Sequence, residues 1–113
     1  MHEVSLMAQT LTLALEQAQR QEAQRIHRMT LRIGAESGVE PEALRFAFDV
    51  TVQETIAAGA TLDIEIVPVS CFCETCQRVF QPQDWFYECP DCQTLSYRVL
   101  TGREIELVRL EVS

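Results

Sequence analysis

The sequence predicts an α+β fold: a small three-stranded sheet with two helices packed on it, plus an inserted four-cysteine zinc-ribbon-like module. Three observations carry that expectation. Helical and strand periodicities alternate twice over residues 4–67. All five cysteines then fall between Cys71 and Cys92. Strand-type patterning returns only afterwards, over Glu104–Val112.

Residues 4–22 read as an amphipathic helix, because Val4, Met7, Ala8 and Leu11 stand at i, i+3, i+4 and i+7. Leu11, Ala14, Leu15 and Ala18 continue that stripe. Leu6 and Leu13 lie beside it, where they would widen the buried face. Arg28–Gly34 alternates, with Met29, Leu31 and Ile33 on one side and Thr30 and Arg32 on the other, as a half-buried strand does. Ser37-Gly38-Val39-Glu40 is a turn. Pro41 suits the first turn of a second helix, and Glu42 follows where the helix dipole favours an acid. Leu44, Phe48, Val52 and Ile56 repeat every four residues, and Gly59 is the expected end. Thr61–Val67 alternates again, with Leu62, Ile64 and Ile66 inward, until Pro68 closes the strand. In the last strand Ile105 and Leu107 share one phase, while Val108, Leu110 and Val112 share the other; a β-bulge near Leu107–Val108 reconciles them. The expected division is one α/β domain formed by residues 1–69 and 102–113, with residues 70–101 inserted as a second domain.

Composition narrows the function. The 113 residues are 47% hydrophobic and 23% charged, as expected for a folded globular chain. All nine basic residues are Arg, against 17 acidic residues, for a net charge of -8. That balance argues against nucleic acid, whose affinity rests on basic side chains. No apolar run approaches the roughly 18 residues of a membrane span, and Met1-His2-Glu3 is not the start of a signal peptide. The expectation is a cytoplasmic protein with no membrane association. In that compartment thiols stay reduced, so an odd, clustered set of cysteines points to metal rather than disulfides.

Cys73-x-x-Cys76 and Cys89-x-x-Cys92 are separated by twelve residues. Two such knuckles across a short loop let four thiolates converge tetrahedrally on one ion. Zinc fits best, as a soft-ligand ion without redox demands; a rubredoxin-like iron site usually has a longer separation. A site filled by four cysteines leaves no position for chemistry, so its expected role is structural. Ion binding contributes roughly 10–16 kcal/mol in small zinc modules, enough to fold a segment with little core. Gly often follows the second Cys of such a knuckle to supply a positive φ, but here Gln77 and Gln93 stand there. Cys71, two residues before Cys73, reads as a spare thiol, with ligation in place of Cys73 as the alternative. Trp85, Phe86 and Tyr87 are expected to cover the thiolates, and a partner-binding surface is the other use for them.

The N-terminus carries the second candidate site. The α-amine, the deprotonated amide of His2 and its imidazole close fused chelate rings that suit planar Ni(II) or Cu(II). Histidine is large enough for Met1 to be retained, and Glu3 adds an oxygen nearby. The plain alternative is an exposed His2 with no ligand role. His27 reads as a surface or edge residue.

Together these blocks form a pattern: Met1-His2-Glu3 before an amphipathic helix, then Ile33-Gly34-x-x-Ser37-Gly38-Val39-Glu40-Pro41-Glu42-Ala43-Leu44-Arg45-Phe46-Ala47-Phe48, then the two knuckles. Over essentially its whole length the chain resembles the HypA/HybF family of nickel metallochaperones for [NiFe]-hydrogenase maturation. The resemblance implies Ni(II) bound by Met1 and His2, with Glu3 and Glu40 as further candidates. It implies structural Zn(II) on Cys73, Cys76, Cys89 and Cys92. The implied partners are the GTPase HypB and the hydrogenase large subunit, with urease maturation proteins as a further possibility. The expectation is a binding and transfer protein, not an enzyme: the sequence offers no Ser-His-Asp arrangement, no phosphate loop and no open metal site. The alternative is a zinc-ribbon adaptor that contacts proteins without moving nickel.

Overall fold

The computed structural model describes residues 3–83 and 86–113. Two helices and six strands follow in the order α1 (Glu3–Arg20), β1 (Ile26–Gly34), α2 (Pro41–Thr51), β2 (Thr61–Val67), β3 (Ser70–Cys73), β4 (Arg78–Phe80), β5 (Val99–Thr101) and β6 (Ile105–Val112). They form two three-stranded sheets, ordered β2-β1-β6 and β4-β3-β5. The body is elongated: its radius of gyration is 17.5 Å, against about 13 Å for a compact chain of this length.

The first sheet is the predicted one, and the helices pack on it. β1 lies at its centre, parallel to β2 and antiparallel to β6. Parallel neighbours need a crossover, which α2 supplies. Met29, Leu31 and Ile33 of β1 are buried, as their alternation requires. Opposite them on α1 lie Met7, Leu11, Ala14 and Ala18, and on α2 Leu44, Ala47 and Phe48. Fully burying one such large apolar side chain stabilises the fold by about 1.5–3 kcal/mol. The opposite face of the sheet is charged, with Arg28 bridging Asp63 (3.3 Å) and Glu111 (3.5 Å). The bulge in β6 lies where the change of phase put it: Thr30 pairs with Arg109 but Leu31 with Leu107, leaving Val108 as the extra residue.

Several sequence expectations need correction. Val4 is 60% exposed and Ala8 is also exposed. The buried stripe of α1 therefore begins at Met7 and includes Thr10, whose hydroxyl donates to Leu6 O at 2.9 Å. Leu6 packs against the core, whereas Leu13 stays exposed. α2 stops at Thr51, about two turns before Gly59. The Thr51 hydroxyl bonds Ala47 O, the Thr55 hydroxyl bonds Val52 O, and Ile56 O accepts the N–H of Ile26. The chain is thus drawn onto the start of β1 before the helix can continue. Ile66, expected inside, is half-exposed because it lies near the end of an edge strand.

The second sheet is reached by residues 67–70 and left by residues 101–105. At this joint β1 meets the returning chain with no space between them. A Cβ on Gly34 would lie 2.1 Å from the Gly102 carbonyl carbon. Gly34 N–H donates to Glu104 O (2.8 Å), Ala35 N–H to Val67 O (2.8 Å) and Glu36 N–H to Gly102 O (2.7 Å). Gly34→Ala should therefore cost about 1–3 kcal/mol, because backbone rather than a flexible side chain must move. Urea unfolding at equilibrium measures this. A variant within about 0.5 kcal/mol of the parent would show that the joint can open without cost.

Candidate metal centres

The cysteine sheet places its thiols by local backbone geometry. Cys73 ends β3 and begins a tight turn, in which Cys76 N–H donates to Cys73 Sγ at 3.3 Å. The second knuckle is closed by backbone pairs: Gln93 N–H bonds Cys89 O (2.9 Å) and Cys89 N–H bonds Thr94 O (3.0 Å). Gln77 and Gln93 have φ of 54° and 62°, the left-handed conformation for which Gly was expected. That conformation costs a Cβ-bearing residue roughly 1–2 kcal/mol. The side chains offset part of this, because Gln77 Nε2 donates to Glu74 O and Gln93 Nε2 to Pro90 O.

The ligand atoms of Cys73, Cys76, Cys89 and Cys92 all lie within 4.8 Å of one another, and Cys73 and Cys92 Sγ are 3.5 Å apart. A tetrahedron with 2.3 Å metal–sulfur arms has edges of about 3.8 Å, so the cluster fits a four-thiolate ion. Among the described residues this is the group of ligand-type side chains close enough to hold a metal. Cys71 is not part of it. Its side chain is fully buried in β3, whose neighbours there are Phe80 and Val99. Burial, then the Glu36 charge, push the Cys71 thiol up, partly opposed by Arg103.

Contacts within the cluster move two of its thiols in opposite directions. The Cys76 thiol is pushed up to about 12, first by its hydrogen bond with Cys92 and then by burial. The Cys92 thiol is lowered to about 6, first by hydrogen bonds from the Thr94 side chain and backbone. Of the three aromatic residues expected to cover the thiolates, Phe86 and Tyr87 are described. Phe86 is 72% exposed, and the Tyr87 hydroxyl donates instead to Glu36 Oε2. Trp85 lies outside the described residues. The Tyr87–Glu36 contact, across 51 residues, was not legible in the sequence, since no periodicity relates positions so far apart.

Met1 and His2, the principal nickel candidates, also lie outside the described residues. Glu3 and Glu40 are brought together. Glu40 is the N-cap of α2, and its carboxylate accepts from Glu42 N–H at 3.2 Å. Its own N–H donates to Glu3 Oε2 at 3.1 Å. The first turn of α1 is thereby held against the N-terminus of α2, where partial positive charge favours carboxylates. His27 lies in β1, exposed, with Nε2 2.7 Å from Ser113 Oγ.

A family model described as "Hydrogenase/urease nickel incorporation, metallochaperone, hypA" matches residues 1–112. The chain belongs to the HypA family. The hydrogenase maturation factor HypA of Picosynechococcus sp. is 53% identical over 112 residues, covering 99% of each chain. That of Acidithiobacillus ferrooxidans is 41% identical over the same length and coverage. The solution structure of the Ni metallochaperone HypA from Helicobacter pylori matches with a TM-score of 0.68 and 29% identity, over 99% of this chain and 97% of that one. A second HypA solution structure reaches a TM-score of 0.73 at 29% identity, over 100% and 97%. Among the described residues no helix is long and apolar enough to cross a membrane.

The sulfur protonation predicts how this HypA-family cluster responds to pH. Near neutral pH, Cys76 holds its proton, so uptake of a thiophilic ion must expel acid. Affinity should therefore rise with pH and fall on acidification. Competition against a chromophoric chelator at pH 6 and pH 8 reads this directly, and equal affinities at both would contradict it.

Proposed function

We propose that this chain is a nickel metallochaperone that binds Ni(II) at its N-terminus and delivers it for maturation of [NiFe]-hydrogenase. The observation that carries the reading is the Glu3–Glu40 hydrogen bond. It holds Glu3, in the first turn of α1, at the N-cap of α2 in a member of a nickel-incorporation family. Ni(II) is the cargo. The amine of Met1, the amide and imidazole of His2, and oxygen from Glu3 and Glu40 are its candidate ligands. Such a chelate opens from one side as amine and imidazole take up protons, so it can release the ion as well as hold it.

In this reading Cys73, Cys76, Cys89 and Cys92 hold zinc, which supplies a cross-link between the two knuckles. Residues 1–69 with 102–113 form the nickel-binding domain, and residues 70–101 the zinc-binding domain. The protein acts without turnover in the cytoplasm. The GTPase HypB, the hydrogenase large subunit and urease maturation proteins are its proposed partners. A zinc-ribbon adaptor without nickel transfer is the second reading, favoured by the exposed Val79, Phe86 and Tyr97.

His2→Ala, and separately an N-terminal extension, should abolish stoichiometric Ni(II) binding and leave fold and zinc content intact. Calorimetric titration at matched pH checks this, and equal binding by all forms would leave the adaptor reading standing. Cys71→Ser should retain one zinc per chain, whereas Cys92→Ser should lose it with disorder over residues 70–100. Metal analysis with amide spectra distinguishes the two, and zinc loss in the Cys71 variant would show that the wrong member of the Cys71/Cys73 pair was assigned.

A further inference from the structure

The cysteine sheet is joined to the helix-backed sheet by two chain segments, residues 67–70 and 101–105. Two covalent connections define a hinge axis; they do not fix rotation about it. Backbone hydrogen bonds from Ala35 to Val67 and from Glu36 to Gly102 already tie the joint, and a side-chain contact from the body of the cysteine sheet adds a restraint on rotation. Tyr87 makes such a contact. Its hydroxyl donates to Glu36 Oε2, and the Arg103 guanidinium lies near the same phenol.

Both ends of this contact are held in place. Tyr87 O accepts from Ser96 N–H at 2.9 Å, which ties it to the segment that follows the second knuckle. Its φ of 55° is a conformation that bulky residues avoid, so the surrounding fold imposes it. Glu36 lies in the short turn between β1 and α2, four residues before Glu40. Beyond Glu36 that turn is tied by Ser37 N–H to Gly34 O (3.0 Å) and by Val39 N–H to Ser37 Oγ (3.2 Å). Val39 is buried in the core. Motion of Glu36 is thus passed to the N-cap that holds Glu3.

We infer that Tyr87 and Glu36, assisted by Arg103, are positioning residues: they lock the cysteine sheet in one orientation and hold the 35–39 turn that sets Glu40 against Glu3. The inference deepens the proposed nickel function and rests on it only for its consequence at Glu40. The lock itself is independent of nickel.

The test uses the full zinc-loaded chain and its variants Tyr87→Phe, Glu36→Ala and Glu36→Gln. Residual dipolar couplings measured for the two sheets report their relative orientation. The parent should fit one alignment tensor. Tyr87→Phe and Glu36→Ala should each require two, and their combination should be no worse than either alone. Glu36→Gln keeps an acceptor for the phenol and should restore the single tensor. Zinc content and melting temperature should be unchanged throughout, and Ni(II) affinity should fall several-fold in the two disruptive variants only. A single tensor in Tyr87→Phe and in Glu36→Ala overturns the lock. Two tensors with unchanged Ni(II) affinity overturn the positioning of Glu40. Absence of nickel binding in every form, the parent included, would sink the proposed function, while the couplings would still decide the lock.

Discussion

The backbone contact between Gly34 and Gly102 is the constraint on which the rest of the molecule depends. β1 is the central strand of its sheet, and its last residue lies beside the segments by which the chain leaves β2 for the cysteine sheet and returns to β6. A Cβ at either glycine would meet main-chain atoms closer than 3 Å. With both positions bare, β2 and β6 stay in register on either side of β1, and the insertion leaves from one end of the sheet. The helices then have a complete apolar surface to cover, and the 35–39 turn is held against the joint.

Each end of the molecule solves a different physical problem. The cysteine sheet has short strands and many exposed apolar side chains, among them Tyr97 and Phe86. An ion held by the convergent thiols would cross-link its two knuckles and add binding energy to that small core. The helix-backed sheet has a packed apolar core, with Met7, Met29 and Leu44 fully buried between its layers. Its acidic end is built from helix starts: Glu3 in the first turn of α1, and Glu40 capping α2. Carboxylates placed there gain hydrogen bonds from backbone N–H groups that would otherwise lack partners.

The departures from simple patterning have local causes. α2 ends early because Thr51 and Thr55 turn their hydroxyls onto carbonyls and Ile56 is recruited by Ile26. Val4 leaves the buried stripe because the core under α1 begins one turn further on, at Met7. Gln replaces Gly after each knuckle because its amide reaches back to a knuckle carbonyl, compensating a backbone conformation that Gly would adopt freely.

Much of this protein was determined by sequence alone. Periodicity of 3.6 or 2 marks which faces become buried, so both helices, three long strands and even the bulge at Val108 were legible. Paired C-x-x-C spacing marks the thiol cluster because each knuckle is a local turn that presents both sulfurs to one point. Tertiary structure decided what couples distant positions. Glu3 meets Glu40 across 37 residues and Tyr87 meets Glu36 across 51. Such contacts depend on where whole elements dock, and docking is set by summed packing rather than by any motif. The separation of Cys71 from the cluster was open in the sequence for the same reason. Two residues apart on a strand, Cys71 and Cys73 look alike until the pairing of β3 with β4 and β5 buries the first and the turn carries the second to its partners.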